Sequence, residues 1–552
     1  MTARRELISA RDLGFAYPSA QILTGVSFHL VEGGRIGIVG ENGAGKTTLL
    51  RLLAGELEPS AGTVAARGTL TYVPQDLDPG DRTTRDLVLE SLADVRAAAA
   101  ELQEAMADFD HLTGDLTELA AVTRRLEWLA PWDSERRTQQ YLTRLDAPAE
   151  HDRRLDGLSV GERYRVRLAC ALARRDDVLL LDEPTNHLDD AAIDFVTGVL
   201  HDWPGAVAMV THDRKLLDDV ATQYLDLSPS RTGTPQCYGA IGYERFRQAR
   251  DTELVRWRRQ YQAQRRREAH LERVRDRSYE GLSDEWRPPK GSQKHRRGTR
   301  ARTHVRAADR QLERIEADSI PVPQPPPEFA LPALPAHPPG QDRARPLLRA
   351  VVDRPLGTRG GSSILSELVG TPLEIAAGER LLVTGPNGSG KSTLLRLLAG
   401  QIVRDQVRLE RAEGVRVGVL VQDGPLREPE SSATTGEDEA TREVYRLLAE
   451  GGLDPAEIVP AYSTGLLAPE QMSVPLAELS TGQRRRFELI RALIAAPHIL
   501  ILDEPTNHLS IDLVDELSAA LRETPAAVIV ASHDRRLRAD FAHWPRLELG
   551  SG

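Results

Sequence analysis

The chain has 552 residues, several times the length of a typical domain, so two or more separately packed cores are expected. Its 71 Lys and Arg against 82 Asp and Glu give a net charge of −11, which argues against a surface that is basic throughout. The only cysteines, Cys170 and Cys237, exclude a disulfide framework and a cysteine-ligated zinc cluster. Because no apolar stretch reaches the roughly 18–20 residues of a membrane helix, we expect a soluble, cytoplasmic protein without membrane insertion.

Two long segments of the chain repeat each other. The sequence GENGAGKTTLLRLLAG that begins at Gly40 recurs as GPNGSGKSTLLRLLAG at Gly385. LLLDEPTNHLD and VTHDRKL in the first half recur as LILDEPTNHLS and ASHDRRL in the second half. Each copy alternates short Val-, Ile- and Leu-rich strands with helical stretches, which is typical of a mostly parallel α/β sheet. The sequence therefore predicts two α/β domains of one fold, at residues 1–243 and 346–552.

Each copy carries the pattern G-x-x-x-x-G-K-[ST] directly after a short strand. Glycines allow backbone N–H groups to surround a phosphate, and the following helix directs its positive N-terminus at the same anion. We expect the lysines to reach the β- and γ-phosphates of a nucleotide and the Thr or Ser hydroxyls to bind Mg²⁺. The predicted nucleotide-binding residues are Gly40, Glu41, Asn42, Gly43, Ala44, Gly45, Lys46, Thr47 and Thr48, and in the second copy Gly385, Pro386, Asn387, Gly388, Ser389, Gly390, Lys391, Ser392 and Thr393.

An adjacent Asp-Glu pair ends an apolar strand in each copy. Asp182 and Asp503 are predicted ligands of the Mg²⁺ shell, and Glu183 and Glu504 are predicted to accept a proton from the attacking water. Such a pair on an exposed helix would be ordinary solvated surface, an interpretation that fits poorly with the end of a buried strand.

Four further polar residues recur around these carboxylates. His212 and His533 each follow the glutamate by 29 residues and are predicted to contact the γ-phosphate, although one such histidine alone would be common on a surface. Gln75 and Gln422 follow the loop lysines by 29 and 31 residues, and an amide at that point can orient water or Mg²⁺.

The composition changes between the two copies, in residues 244–319. Arg245–Asp318 holds 22 basic and 12 acidic residues, and its apolar residues recur at the spacing of two amphipathic helices in an antiparallel hairpin arm. The expected tip, Trp286–Arg306, holds eight Lys or Arg and no acidic residue. Nine prolines in Ile320–Gly340 predict an extended, semi-rigid connector over residues 320–345.

LSVGE at Leu158–Glu162 and LSTGQ at Leu479–Gln483 resemble the signature motif of ATP-binding cassette (ABC) domains. The resemblance implies two tandem ABC-type P-loop ATPase domains, joined here by the helical hairpin arm, that hydrolyse ATP with Mg²⁺. In that family each ATP lies between the phosphate loop of one cassette and the signature of the other. Carried over, Lys46 shares a site with Ser480 and Gly482, Lys391 shares one with Ser159 and Gly161, and Tyr17 stacks on adenine.

The signatures and neighbouring loops depart from the family pattern in the two copies. Val160 replaces a glycine and Glu162 a glutamine in the first signature, and Ser510 stands where the first copy has Asp189. The stretch Val351–Leu365, which corresponds to the surroundings of Tyr17, has no aromatic residue. We therefore expect unequal sites.

Paired cassettes with EPTNHL strings resemble the ABC-F class, and the composition resembles actinobacterial antibiotic-resistance members of it. The resemblance implies a monomer with intramolecular cassette pairing that binds the ribosome and directs its arm toward the P-site tRNA. An acid-free tip suits rRNA and tRNA phosphates. The predicted RNA-binding residues are Arg287, Lys290, Lys294, Arg296, Arg297, Arg300 and Arg302.

Two other functions stay open at this point. A housekeeping translation factor of the same class would share every one of these motifs. The ATP-binding subunit of a drug exporter would dock on a separate membrane protein and would not need the basic insertion. A DNA-repair ATPase is disfavoured because such proteins have zinc cysteines or much longer coiled coils.

Overall fold

The computed structural model describes residues 5–18, 20–41, 43–75, 80–107, 109, 116–148, 152–239, 242–280, 323, 325–326, 328–340, 345–357, 363–386, 388–421, 433–449, 454–506 and 509–550. Contacts divide the chain into two units. One unit contains both α/β domains, which we call the first and second cassettes, and the connector from residue 327 onward. The other contains residues 229–235 and 243–326.

The first cassette is built around a six-stranded sheet in the order β5-β6-β7-β3-β8-β9, parallel except for β9. The inner strand β6 reads VLLLD with every residue buried, as expected for a parallel strand covered on both faces. An antiparallel sheet, β2-β1-β4, packs beside it. The elements are β1 (Glu6–Tyr17), β2 (Ala20–Val31), β3 (Arg35–Val39), α1 (Lys46–Leu53), β4 (Ala61–Ala66), β5 (Leu70–Val73), α2 (Thr84–Ala107), α3 (Leu116–Leu129), α4 (Ser134–Arg144), α5 (Val160–Arg174), β6 (Val178–Asp182), α6 (Asp190–His201), β7 (Ala206–Val210), α7 (Arg214–Val220), β8 (Gln223–Asp226) and β9 (Gln236–Gly239).

Among its described residues, the unit outside the cassettes contains the long helix α8 (Tyr243–Glu280), of 38 residues. At 1.5 Å per residue it extends for about 57 Å. Trp257 is buried, and its indole Nε1 donates a hydrogen bond of 2.8 Å to the Pro323 carbonyl oxygen. The predicted second helix of the hairpin and the whole basic tip lie outside the described residues.

The second cassette repeats the first around a parallel sheet, β16-β17-β18-β14-β19. Its side sheet is β13-β10-β15, and β11 and β12 form a short hairpin. The elements are β10 (Leu348–Val352), β11 (Leu356–Gly357), β12 (Ser363–Ile364), β13 (Leu373–Ile375), β14 (Arg380–Thr384), α9 (Lys391–Leu398), β15 (Val407–Arg411), β16 (Val417–Leu420), α10 (Gly436–Ala449), α11 (Pro469–Met472), α12 (Thr481–Leu493), β17 (Ile499–Asp503), α13 (Ile511–Glu523), β18 (Ala527–Ala531), α14 (Arg535–Asp540) and β19 (Arg546–Glu548).

The proline-rich connector packs against the second cassette instead of running free. Its described residues, 328–340, form neither helix nor strand. Phe329 and Leu334 are nevertheless buried in the apolar cluster that contains Leu466 and Leu479, next to the signature. The Ala330 backbone N–H donates to the Thr464 carbonyl oxygen. The connector is therefore anchored to the second cassette, because two of its apolar side chains lie in that cluster.

Among the described residues, no helix combines the length and the apolar character that crossing a membrane requires.

Candidate nucleotide-binding sites

The phosphate loop of the first cassette curls around its own lysine. Gly45 has φ 91°, which a residue with a side chain rarely adopts, and α1 begins at the next residue. The buried Lys46 Nζ donates to the carbonyl oxygens of Gly40 at 2.9 Å and Glu41 at 3.2 Å. The lysine cation therefore lies inside its own loop, where the sequence predicts that phosphate oxygens bind.

The second loop has the same geometry and one additional hydroxyl. Lys391 Nζ donates to the carbonyl oxygens of Gly385 at 2.8 Å and Pro386 at 3.0 Å. Within the part of the chain that the structure describes, the buried Ser389 Oγ has no hydrogen-bond partner. Ala44 occupies this position in the first loop, so the second loop offers a nucleotide one more polar contact.

The aspartate at the end of β6 lies against the hydroxyl of the first phosphate loop. Thr47 Oγ1 donates to Asp182 Oδ2 at 2.7 Å, and burial raises the pKa of Asp182. A buried carboxylate next to a hydroxyl is a donor set of hard oxygens, which Mg²⁺ prefers. These residues therefore fit the ion, and Asp503 ends β17 at the corresponding position in the second cassette.

Each glutamate adopts a left-handed backbone conformation directly after its strand. Glu183 has φ 53° and Glu504 has φ 47°, which is uncommon for residues other than glycine. Their backbone N–H groups donate to the Val210 and Ala531 carbonyl oxygens, at 2.8 and 2.9 Å. The strand pairing is thus extended by one residue while the carboxylate turns toward the histidine of the same cassette.

Glutamate and histidine form a close pair in both cassettes. His212 Nε2 lies 3.3 Å from Glu183 Oε1, and the His212 backbone N–H donates to Oε2 at 3.2 Å. The corresponding distances for His533 and Glu504 are 3.6 and 3.1 Å. The structure therefore brings together the predicted proton acceptor and the predicted γ-phosphate contact in each copy.

Burial controls the protonation of these groups. It raises the pKa of Glu183 to about 8 and that of Glu504 to about 7. It lowers the pKa of His533 to about 4, so that this ring is neutral near pH 7. Without nucleotide each glutamate therefore binds a proton more strongly than an exposed glutamate does, which suits a group that accepts a proton from water.

The signature motifs cap the helices that follow them. Ser159 precedes α5, where its Oγ accepts from the Glu162 N–H at 3.2 Å and a Glu162 carboxylate oxygen accepts from the Ser159 N–H at 2.8 Å. Ser480 and Gln483 make the equivalent bonds at 3.2 and 3.0 Å before α12. The first cap differs because its partner is charged and because the Ser159 hydroxyl also donates to Glu162, at 2.8 Å.

The two cassettes meet head to tail at the first phosphate loop. Arg486, on the signature helix α12, lies 3.2 Å from the Glu41 carboxylate of the other cassette. The same guanidinium donates to Ser510 Oγ at 3.3 Å. The signature helix α12 therefore contacts the loop of Lys46 through Arg486. The resemblance implies that Ser480, which precedes this helix, shares the site of Lys46.

Some residues that contact the candidate sites belong to no motif recognised in the sequence. The Arg485 guanidinium donates to the backbone carbonyl oxygens of Asp503 and Glu504, at 2.7 and 3.0 Å, whereas Tyr164 donates its hydroxyl to the Glu183 carbonyl oxygen at 3.4 Å. The arginines that follow the two histidines reach across to the other cassette. Their only signal in the sequence is that the arginine of the HDR string recurs in the duplication.

Two other predicted residues, Tyr17 and Gln75, have exposed side chains. Tyr17 is partly exposed and packs edge-on against Phe15, with ring centroids 4.9 Å apart. Gln75 is exposed just after β5. Asn42, Asn387, Gln422 and the predicted RNA-binding residues of the arm tip lie outside the described residues.

Comparison with known proteins identifies the same duplication. The family model described as "ABC transporter" matches twice, at residues 23–186 and 368–507. The tylosin resistance ATP-binding protein TlrC of Streptomyces fradiae is 36% identical over 571 residues, 100% of this chain and 98% of that protein. The energy-dependent translational throttle protein EttA of Escherichia coli strain K12 is 30% identical over 94% of this chain and 87% of its own length.

A solved structure supports the arrangement of the fold. The archaeal ribosome recycling factor aABCE1, crystallised with the ribosomal stalk protein aP1, matches with a TM-score of 0.53. The match covers 96% of this chain and 86% of that chain at 18% identity, so it bears on the fold alone. The chain belongs to the ABC transporter family, as a tandem-cassette member of its ABC-F class, and it is an ATPase.

Proposed function

We propose that this protein is a cytoplasmic, ribosome-binding ATPase that protects the ribosome against antibiotics of the macrolide, lincosamide or pleuromutilin type. The single observation that carries the proposal is the 36% identity, end to end, with a protein named for tylosin resistance. In this proposal the chain acts as a monomer, and ATP closes its two cassettes so that the arm is directed toward the P-site tRNA.

The geometry of the two sites supports the following chemistry. Lys46 and Lys391 bind the β- and γ-phosphates, and the signature serines of the opposite cassette complete each site. When bound, Mg²⁺ neutralises phosphate charge, and the residues that would hold it are Thr47, Asp182, Gln75, Ser392, Asp503 and Gln422. Glu183 and Glu504 take a proton from water, while His212 and His533 contact the γ-phosphate.

The arm supplies the contact with RNA. The helix α8 also carries arginines, among them Arg258, Arg259 and Arg266, which add to the positive charge of the tip sequence. Arginine recognises phosphate through paired N–H donors, and each phosphate contact makes binding more sensitive to salt. The arm is therefore expected to bind rRNA and tRNA mainly through their backbones.

The first experiment uses the double variant Glu183→Gln/Glu504→Gln. It is expected to bind ATP without hydrolysing it and to sediment with ribosomes when ATP is present. Wild-type protein with ADP serves as the control. Normal hydrolysis by the double variant would exclude these glutamates as the proton acceptors, and recovery with membranes would favour an exporter subunit.

The second experiment tests the arm. Changing Arg296, Arg297, Arg300 and Arg302 to Gln should reduce the salt dependence of ribosome binding, by about one unit of log–log slope per lost phosphate contact. ATP binding should be unaffected. The control changes four exposed arginines of the second cassette, Arg404, Arg408, Arg522 and Arg546.

The relationship to EttA favours a second candidate, a translation factor with no role in resistance. Susceptibility of cells with and without the gene, measured drug by drug, separates the two. Resistance to one drug class supports protection. Unchanged susceptibility to every class, with altered translation, supports the second candidate.

A further inference from the structure

Ion pairs cross between the cassettes directly beside the two histidines. Arg214 follows His212 by two residues and contacts Asp515 of α13, and it lies 3.5 Å from Asp534. In the opposite direction, Arg535 lies 2.5 Å from Asp194 of α6 and 3.5 Å from Asp213.

These pairs are related by the duplication itself. Arg535, Asp515 and Asp534 each lie 321 residues after Arg214, Asp194 and Asp213, respectively. Each arginine therefore contacts the same two positions of the other cassette. Reciprocity of this kind is expected across a two-fold interface and is not expected of incidental surface pairs.

The aspartates also fix the loops that carry the histidines. Asp213 accepts the backbone N–H groups of Lys215 and Leu216, at 2.9 and 3.0 Å, and so caps α7 immediately after His212. Asp534 caps α14 in the same way after His533. Each of these two carboxylates thus caps the helix that follows the histidine of its own cassette and also forms an ion pair with the arginine of the other cassette.

Burial makes these charges dependent on each other. The Arg214 side chain is 1% exposed, and those of Asp213, Asp534 and Arg535 are 10–11% exposed. Asp213 and Asp534 are close enough that Asp534, like burial, raises the pKa of Asp213, whereas Arg535 lowers it. Removing one arginine would leave neighbouring buried carboxylates without that counter-charge, which is costly in a low-dielectric interior.

We propose that Arg214 and Arg535 are positioning residues for ATP hydrolysis, each holding the histidine loop of the opposite cassette through its capping aspartate. The two sites are thereby coupled: turnover at one depends on an arginine that belongs to the other. This inference rests on the proposed roles of the glutamates and histidines, and it does not depend on the ribosome.

The test uses full-length protein with one site inactivated and no ribosomes. Turnover of the Glu504→Gln variant reports the site of Glu183 and His212. Adding Arg535→Met, in the other cassette, should lower that kcat about tenfold or more while KM for ATP changes less than about threefold. Arg535→Lys should restore a substantial part of kcat because it keeps the charge.

The matched control is Lys215→Met. Lys215 follows Arg214 on α7, but its ion pair with Asp219, at 2.9 Å, stays within the first cassette. This variant should keep the kcat of its background. The mirror experiment, Arg214→Met in Glu183→Gln, should lower turnover at the site of Glu504.

Two outcomes would overturn the inference. One is a kcat within about twofold of background after Arg535→Met, and the other is an equal loss with Lys215→Met. If Arg214→Met does not fold, the Arg535→Met variant still tests the inference, because Arg535 pairs with the more exposed Asp194. The single variant Glu504→Gln checks the catalytic assignment separately. It must retain ATP turnover, and adding Glu183→Gln to it must abolish that turnover.

Discussion

Arg486 and Glu41, 445 residues apart in the chain, lie 3.2 Å from each other across the two cassettes. The arginine is on the signature helix of the second cassette, and the glutamate is in the phosphate loop of the first. This ion pair joins the two halves of one proposed ATP site, so we expect it to link closure of the cassettes to the loop that is proposed to bind phosphate.

Arg486→Met is expected to weaken that closure. A partly buried interfacial ion pair contributes a modest amount, so KM for ATP in the Glu504→Gln background should rise by about three- to tenfold. Steady-state ATPase assays measure this KM. The control is Arg491→Met, in the last turn of the same helix. An unchanged KM would show that the pair does not take part in binding.

The acidic Glu162 in one signature and the neutral Gln483 in the other predict that the two sites differ in their affinity for ATP. The Glu162 carboxylate lies beside Ser159, where the resemblance implies the γ-phosphate of the nucleotide held by Lys391, and its bonds to Ser159 lower its pKa. A fixed negative charge there repels phosphate. Glu162→Gln should therefore tighten ATP binding at this site by about two- to fivefold.

The reciprocal variant, Gln483→Glu, should weaken binding at the site of Lys46 by a similar factor. Fluorescent ATP titration of proteins with one phosphate-loop lysine changed to Ala measures each site separately. Effects of the same sign from both variants would contradict the electrostatic explanation.

The raised pKa of Glu504 predicts how stability depends on pH without nucleotide. Its pKa is about 7 in the folded protein and about 4.3 in an unfolded chain. As pH rises from about 4.3 to about 7, Glu504 loses its proton in the unfolded chain but keeps it in the folded protein. This difference favours the unfolded chain, so the free energy of unfolding falls progressively over this pH range. Above pH 7 the penalty is complete.

Glu504→Gln should consequently unfold at a higher temperature than wild type at pH 8, with the difference disappearing near pH 4.5. Differential scanning calorimetry measures this, and Glu478→Gln, which removes an exposed carboxylate, is the control. A Tm difference that does not vary with pH would contradict the assignment.

The anchored connector predicts that Phe329→Ala and Leu334→Ala destabilise the second cassette. Truncating a buried Phe or Leu costs about 2–5 kcal/mol. The unfolding transition of that cassette should move to lower temperature in calorimetry, whereas Val403→Ala, at a side chain that is 81% exposed, should leave it in place. Unchanged transitions would mean that the connector does not contribute to the packed core.

The parts of the candidate sites that depend on local chain geometry could be predicted from the sequence. The loop glycines require positive φ, and a carboxylate at the end of a buried strand is costly unless it binds a partner, so Lys46, Asp182 and Glu183 could be assigned from the pattern. The pairing of Arg214 with Asp515 could not be predicted from the sequence, because it depends on how the two folded cassettes meet. Phe329 was missed because isolated apolar residues between prolines carry no periodicity.

The most direct test of the head-to-tail arrangement is a cross-link between residues 41 and 486. The protein would carry Glu41→Cys and Arg486→Cys with Cys237→Ser, since Cys237 is exposed and Cys170 is buried. In the Glu183→Gln/Glu504→Gln background with ATP and Mg²⁺, a short bismaleimide should join the two cysteines efficiently, and a pair with Arg491→Cys instead of Arg486→Cys should react less. Absence of the 41–486 cross-link, or equal reaction of both pairs, would contradict the account.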